Sequence, residues 1–159
     1  MEAQHDELLA HIGEAIGIGP DELLPPVAVL YGLSFFDYEE KKHLLARCEA
    51  RKAWATADNE VHRETLMAAA GLCAETLAIA LAKKRCALMS TEAQFFRAVT
   101  ADGRDMTIEA RLKATRGSII FCETIVKCID SKLSARMMYQ YAVLKHAIGS
   151  GQPAEEADE

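Results

Sequence analysis

Hydrophobic and polar positions change rhythm several times along this chain. Residues 2 to 16 repeat at helical spacing, with Leu8, Leu9, Ile12, Ala15 and Ile16 on one stripe, and predict a helix. Gly17 and Gly19 stop it, and Pro20, Pro25 and Pro26 mark a loop. From Val27 to about Phe36 the β-branched and aromatic content predicts a strand, and "DYEEKK" a turn. In "HLLARCEARKAW" the period falls to two: Leu44, Ala46, Cys48 and Ala50 share one face, and Arg47, Glu49 and Arg51 the other. These two segments form a hairpin. After the loop "ATADNEVH" comes "TLMAAAGLCAETLAIALA", Thr65 to Ala82, whose sole charge is Glu75. It predicts a long helix from about Arg63 to Lys84, with Lys83, Lys84 and Arg85 suited to the negative end of the helix dipole.

Extended segments follow. "CALMSTEAQFFRAV" is the first, closed by the turn "TADGRD". "MTIEARLKAT" then alternates cleanly, with Met106, Ile108, Ala110, Leu112 and Ala114 facing in and Thr107, Glu109, Arg111 and Lys113 facing out. Arg116 and Gly117 turn the chain into "SIIFCETIVKCI", and "DSK" turns it into "LSARMMYQYAVLKH", where Tyr139 and Tyr141 share a core face with Met137. Runs of strands around a single central helix indicate α+β rather than alternating α/β. We expect one domain over residues 21–148, preceded by a helix and loop at 1–20 and followed by a polar, acidic, disordered tail at 149–159.

Composition narrows the function classes. With 159 residues, 50% of them hydrophobic, the chain is long enough to bury a full core. Its formal charge of −6 owes four units to Glu155, Glu156, Asp158 and Glu159, which leaves −2 on residues 1–154. Nothing in that balance asks for nucleic acid. Five cysteines are scattered without a C-x-x-C pair or a His partner at zinc-ligand spacing, so we expect no metal and a reduced, cytoplasmic protein. The N-terminal residues lack the apolar core of a signal peptide. The Thr65–Ala82 run is long enough to tempt a membrane assignment, but a central Glu is costly in a bilayer, so no membrane partner is expected.

A hairpin, then a buried helix, then an antiparallel meander is also a familiar order. "VHRETLMA" (Val61 to Ala68) resembles the loop-to-helix segment of hotdog thioesterases, whose usual motif there is His-Gly-Gly. "FFRAVTADG" (Phe95 to Gly103) is similar to their Phe-Leu-Arg-Pro-Val segment before a glycine turn. The resemblance spans roughly residues 20 to 146 and implies the hotdog fold, an antiparallel sheet wrapped around a long central helix. It implies an acyl-CoA or acyl-carrier thioester as substrate, CoA entering only as part of that substrate with no separate cofactor, and a homodimer or homotetramer.

His62 and Glu75 are the candidate catalytic residues, each matched to the family's motif in a different register. The two family glycines, which let a thioester approach free backbone N–H groups at the helix start, are here Arg63 and Glu64. In an ungapped match the family's catalytic acid falls on Gly71; a shifted register through "CAET" puts Glu75 in that slot but forfeits His62. At about 100° per residue, Gly71 and Glu75 lie on one small-residue face with Ala68, Ala78 and Ala82, opposite a bulkier face of Leu66, Ala70, Cys73, Leu77 and Leu81. Asp58, Asn59, Arg63, Glu64, Gly71 and Arg97 are the candidate substrate contacts. Plain counterparts stand beside these readings: His62 as a loop residue that caps or packs, Asp58 and Asn59 as turn formers, Asp58 or Thr65 as a helix cap, Arg63, Glu64 and Arg97 as solvated charges, and Glu75 as a carboxylate tied to a backbone or a partner chain. Three functions stay open: thioester hydrolysis with Glu75 activating water, a 3-hydroxyacyl dehydratase pairing His62 with Glu75, and a non-catalytic acyl-CoA-binding module.

Overall fold

Period-two alternation becomes six strands and the apolar run becomes one long helix. The computed structural model describes residues 2–16 and 30–145. In chain order the elements are α1 (Glu2–Ile16), β1 (Ser34–Glu39), β2 (His43–Glu49), a 3-10 turn at Lys52–Trp54, α2 (Arg63–Ala82), β3 (Cys86–Phe95), β4 (Asp105–Arg116), β5 (Ile119–Lys127) and β6 (Leu133–Val143). All neighbouring strands pair antiparallel in the order β1-β2-β4-β5-β6-β3. The chain therefore leaves β2, crosses the sheet along α2, and returns as β3 at the far edge.

Helix α2 packs on β2, β3, β4, β5 and β6. Leu66, Ala70, Cys73 and Leu77 are all buried against the sheet, as the bulky face predicts. Opposite them stand Leu44, Ala46 and Cys48 of β2, Met106, Ile108 and Ala110 of β4, Cys122 and Val126 of β5, and Met137, Tyr139 and Tyr141 of β6, every one buried. Small residues on both sides, Ala69, Ala70, Cys73 and Ala74 against Ala46, Ala110 and Cys122, suit close packing of helix and sheet. By length and composition α2 is apolar enough to cross a membrane. Nine of its residues are instead buried within the fold, which accounts for its apolar character.

The first strand departs from its predicted bounds. It begins at Ser34, after Leu30 and Tyr31, which are helical, and it takes in Asp37 to Glu39, which the sequence reads as a turn. The reason is a register shift between Phe35 and Asp37, after which Asp37, Tyr38 and Glu39 still pair with Leu45, Leu44 and His43. Such irregularities and charges are at home on an edge strand. The loop read at Gly17, Gly19, Pro20, Pro25 and Pro26, and the acidic tail, lie outside the described residues.

Helix α1 lies along that edge. The Phe35 N–H donates to His5 Nδ1 at 2.9 Å, and Gln4 Nε2 donates to the Phe36 carbonyl at 2.8 Å. The His5 ring also stacks on Phe35 at 5.7 Å, while Leu9 and Ile12 are buried in the core. Two polar groups of an otherwise open strand are thereby satisfied. His5 accepts this bond only as neutral imidazole. Burial holds its pKa below the ordinary 6.5, an effect that the Asp6 carboxylate partly opposes. A pKa depressed on folding means the neutral form stabilises the docked helix above about pH 6.5, and the contribution is lost as pH falls from there towards the lowered value. We expect the Phe35 amide to lose exchange protection on the acid side of that window, after correction for intrinsic rates. Equal protection on both sides would remove His5 from the docking of α1.

The opposite edge differs. Strand β3 pairs only with β6, and Leu88, Met89 and Phe96 on or beside it are 54–56% exposed. Among the described residues nothing covers it.

Candidate functional site

Helix α2 is not purely apolar because its second face does not meet the sheet squarely. Met67, Ala68, Gly71, Leu72 and Glu75, spaced three and four residues apart, form one wall of a cleft of 330 Å³. Leu88 and Thr91 of β3, Tyr139 and Tyr141 of β6, and Tyr31 complete it.

The floor is tied to the helix. The Tyr139 hydroxyl donates to the Met67 carbonyl at 2.8 Å, and the Tyr141 hydroxyl donates to the Gly71 carbonyl at 2.9 Å. The two rings stack 6.2 Å apart. Gly71 eases this approach, since a Cβ there would sit a tight 3.3 Å from Tyr139 Cε1. Tyr31 reaches the cleft through Gly32, whose φ of +59° favours glycine and whose missing Cβ leaves room for the Arg51 guanidinium. Arg51 in turn donates to the Leu30 carbonyl at 2.9 Å.

Glu75 is the one charged group in this cleft. It is half-buried, and among the described residues it has neither a hydrogen bond nor an ion pair. Burial alone raises its pKa above the ordinary 4.5. Its charge is felt next door: after burial, the proximity of Glu75 is the next cause pushing the Tyr141 hydroxyl upward. The arrangement is thus a half-buried carboxylate in an apolar cleft, held toward its protonated form by burial.

The other candidates lie elsewhere. His62, rather than Asp58 or Thr65, is the N-cap of α2, and it makes no side-chain capping bond. Its side chain is 55% exposed, with Nδ1 3.7 Å from Glu64 Oε2. Arg63 lies over the Phe95 ring at 5.3 Å. Asp58 and Asn59 are exposed in the turn before the helix, where the Asn59 carbonyl accepts the Ala101 N–H at 2.9 Å. Arg97 lines a separate hollow of 230 Å³ with Asp102, Arg104, Asp130 and Lys132, where Lys132 and then Arg97 itself hold Asp130 below the usual carboxylate range. That hollow shares no lining residue with the Glu75 cleft. At roughly 1.5 Å per residue, Glu75 lies about 20 Å along the axis from His62. Within one chain the structure thus brings Gly71 and Glu75 together and keeps His62, Arg63, Glu64, Asp58, Asn59 and Arg97 apart from them.

No protein-family model and no curated protein matches the sequence. Solved structures do. PaaI of Escherichia coli, from the phenylacetic acid degradation operon, aligns with a TM-score of 0.72 at 11% identity, over 77% of this chain and 87% of that one. The thioesterase HI1161 of Haemophilus influenzae gives 0.70 at 12%, over 79% and 87%. The protein smu.793 of Streptococcus mutans, solved with acetyl CoA bound, gives 0.67 at 10%, over 72% and 90%. This chain has the hotdog fold.

In hotdog terms the helix is α2, the wrapping sheet is β1 to β6, and the Glu75 cleft opens on the helix flank beside the free edge β3. Tyr31, Met67, Leu72, Leu88 and Thr91 are cleft residues that the sequence reading does not assign to it. Their part depends on which strand lies beside which helix face, and periodicity carries no such information. Tyr139 and Tyr141 read as core, and they are core; the cleft simply reaches down to them.

Proposed function

We propose that this hotdog protein hydrolyses an acyl-CoA or acyl-carrier thioester, with Glu75 as the general base. What carries the reading is the unpartnered carboxylate in an apolar cleft on the central helix. Ionised Glu75 takes a proton from water, and the oxygen of that water bonds to the thioester carbonyl carbon. The carbonyl electrons move onto oxygen, then return as the carbon–sulfur bond breaks. The thiol leaves with the proton, and the products are a carboxylic acid and a free thiol. No cofactor is needed beyond the CoA or carrier arm that belongs to the substrate. Five free thiols, four of them buried, fit a reducing cytoplasm.

The backbone N–H groups near Arg63 and Glu64 suit an oxyanion, but those of the same chain are too far from Glu75 to share its substrate. In this reading a second copy supplies them, together with His62 and the contacts assigned to Asp58, Asn59, Arg63 and Arg97. Exposed edge β3, which contributes Leu88 and Thr91 to the cleft, is where that copy adds on. Sedimentation equilibrium should therefore return a dimer or tetramer; a stable monomer would leave the site incomplete and overturn this arrangement.

The function is tested by thiol release from a panel of short, long and aromatic acyl-CoAs. Turnover on at least one supports hydrolysis. Binding without turnover on every member would replace the enzyme by an acyl-CoA-binding module.

A further inference from the structure

The sheet outruns the helix at one end. Helix α2 stops at Ala82 because Lys83 turns left-handed (φ 52°, ψ 32°), its N–H donating to the Ile79 carbonyl at 2.8 Å. Strands β4, β5 and β6 continue past that point, and the Val143 N–H donates to the Ser118 carbonyl at 2.7 Å to hold the end of the sheet together. At this end Ile120 is buried, Leu112 and Val143 are half-buried against the core, and Leu144 is exposed. The result is a hollow of 570 Å³ walled by Leu81, Leu112, Ile120, Val143 and Leu144. Its remaining charged lining consists of Lys41, Lys84 and Lys145, all exposed, and no carboxylate lines it.

The Glu75 cleft has the opposite character, with one carboxylate and no cation, and the two share no lining residue. An apolar wall with cations at its edge matches a molecule with an aliphatic chain and an anionic head. We propose that this hollow is a binding site for an aliphatic monocarboxylate, its chain against Leu112, Ile120 and Val143 and its carboxylate among Lys41, Lys84 and Lys145. The site does not depend on the thioesterase reading.

Calorimetric titration of the full chain with octanoate, decanoate and dodecanoate tests it, with decyltrimethylammonium as the charge control. Affinity should rise about fourfold per methylene, and decyltrimethylammonium should bind at least tenfold more weakly than decanoate. A Lys84→Glu, Lys145→Glu double variant changes only exposed side chains and should lose at least tenfold for decanoate. In methyl NMR, decanoate should shift Leu112, Ile120 and Val143 and leave Leu72 and Leu88 still. Shifts at Leu72 and Leu88 instead, binding indifferent to lysine reversal, or no binding would each overturn the proposal. So would binding seen only after Glu155, Glu156, Asp158 and Glu159 are converted to amides, since the acidic tail of the chain would then be the occupant.

Discussion

Replacing Glu75 by Gln should lower kcat/KM for a hydrolysed acyl-CoA by about 10²- to 10⁴-fold, the usual range for losing a general base. The fold should survive intact. Gln fills the same volume, and among the described residues Glu75 holds no hydrogen bond or ion pair that its loss would break. Stability moves the other way. Because burial raises the Glu75 pKa on folding, the native state favours the protonated acid. Its contribution is fully present below about pH 4.5 and is lost as pH rises through the raised value, so at neutral pH the ionised side chain is a burden that Gln lacks. Glu75→Gln should thus melt at or above the wild-type temperature at pH 7, and the difference should vanish below pH 4.5. Wild-type activity itself should climb with pH as Glu75 ionises, with a midpoint above 4.5. A folded variant with undiminished turnover would take Glu75 out of the chemistry.

Two residues along the helix, Leu77→Ala should give the inverse phenotype. Leu77 is fully buried on the face that meets the sheet. Truncating such a side chain removes its transfer free energy and leaves a cavity, together about 2–5 kcal/mol. At roughly 2–4 °C per kcal/mol for a chain of this size, the melting temperature should fall by about 4–20 °C. Activity measured well below that temperature should persist, because Leu77 does not line the Glu75 cleft. A drop smaller than about 2 °C would mean that α2 is not held by this face. Taken together, the two substitutions separate the helix into a structural side and a chemical side.

Much of the fold is written in the periodicity. The clean alternation from Met106 to Ala114 survives into the structure because burial on one side dictates the pattern, whereas the groove face of α2 survives only in part: Ala68, Gly71 and Glu75 line the cleft, but Ala78 is fully buried and Ala82 lines the other hollow. The first strand was less legible. Asp37 and Glu39 look like turn residues because they are polar, yet an edge strand with a register shift tolerates them. The site was legible only in part. That Gly71 and Glu75 share a face follows from helix geometry, and the structure places both in one cleft. The distance of His62 from Glu75 follows from the rise of the same helix, but that Arg97 lines a separate hollow depends on tertiary packing that no local pattern encodes.

The treatment of the two sheet edges limits how copies of this protein can combine. Growth of a ribbon by strand addition needs two free edges on every copy, one to receive and one to offer. Here α1 occupies one through His5 and Gln4, and among the described residues β3 alone is left open. Strand-to-strand joining can happen once and then has nowhere to continue. The N-terminal helix is in this sense a terminator: it leaves edge joining available to a pair and denies it to a fibre.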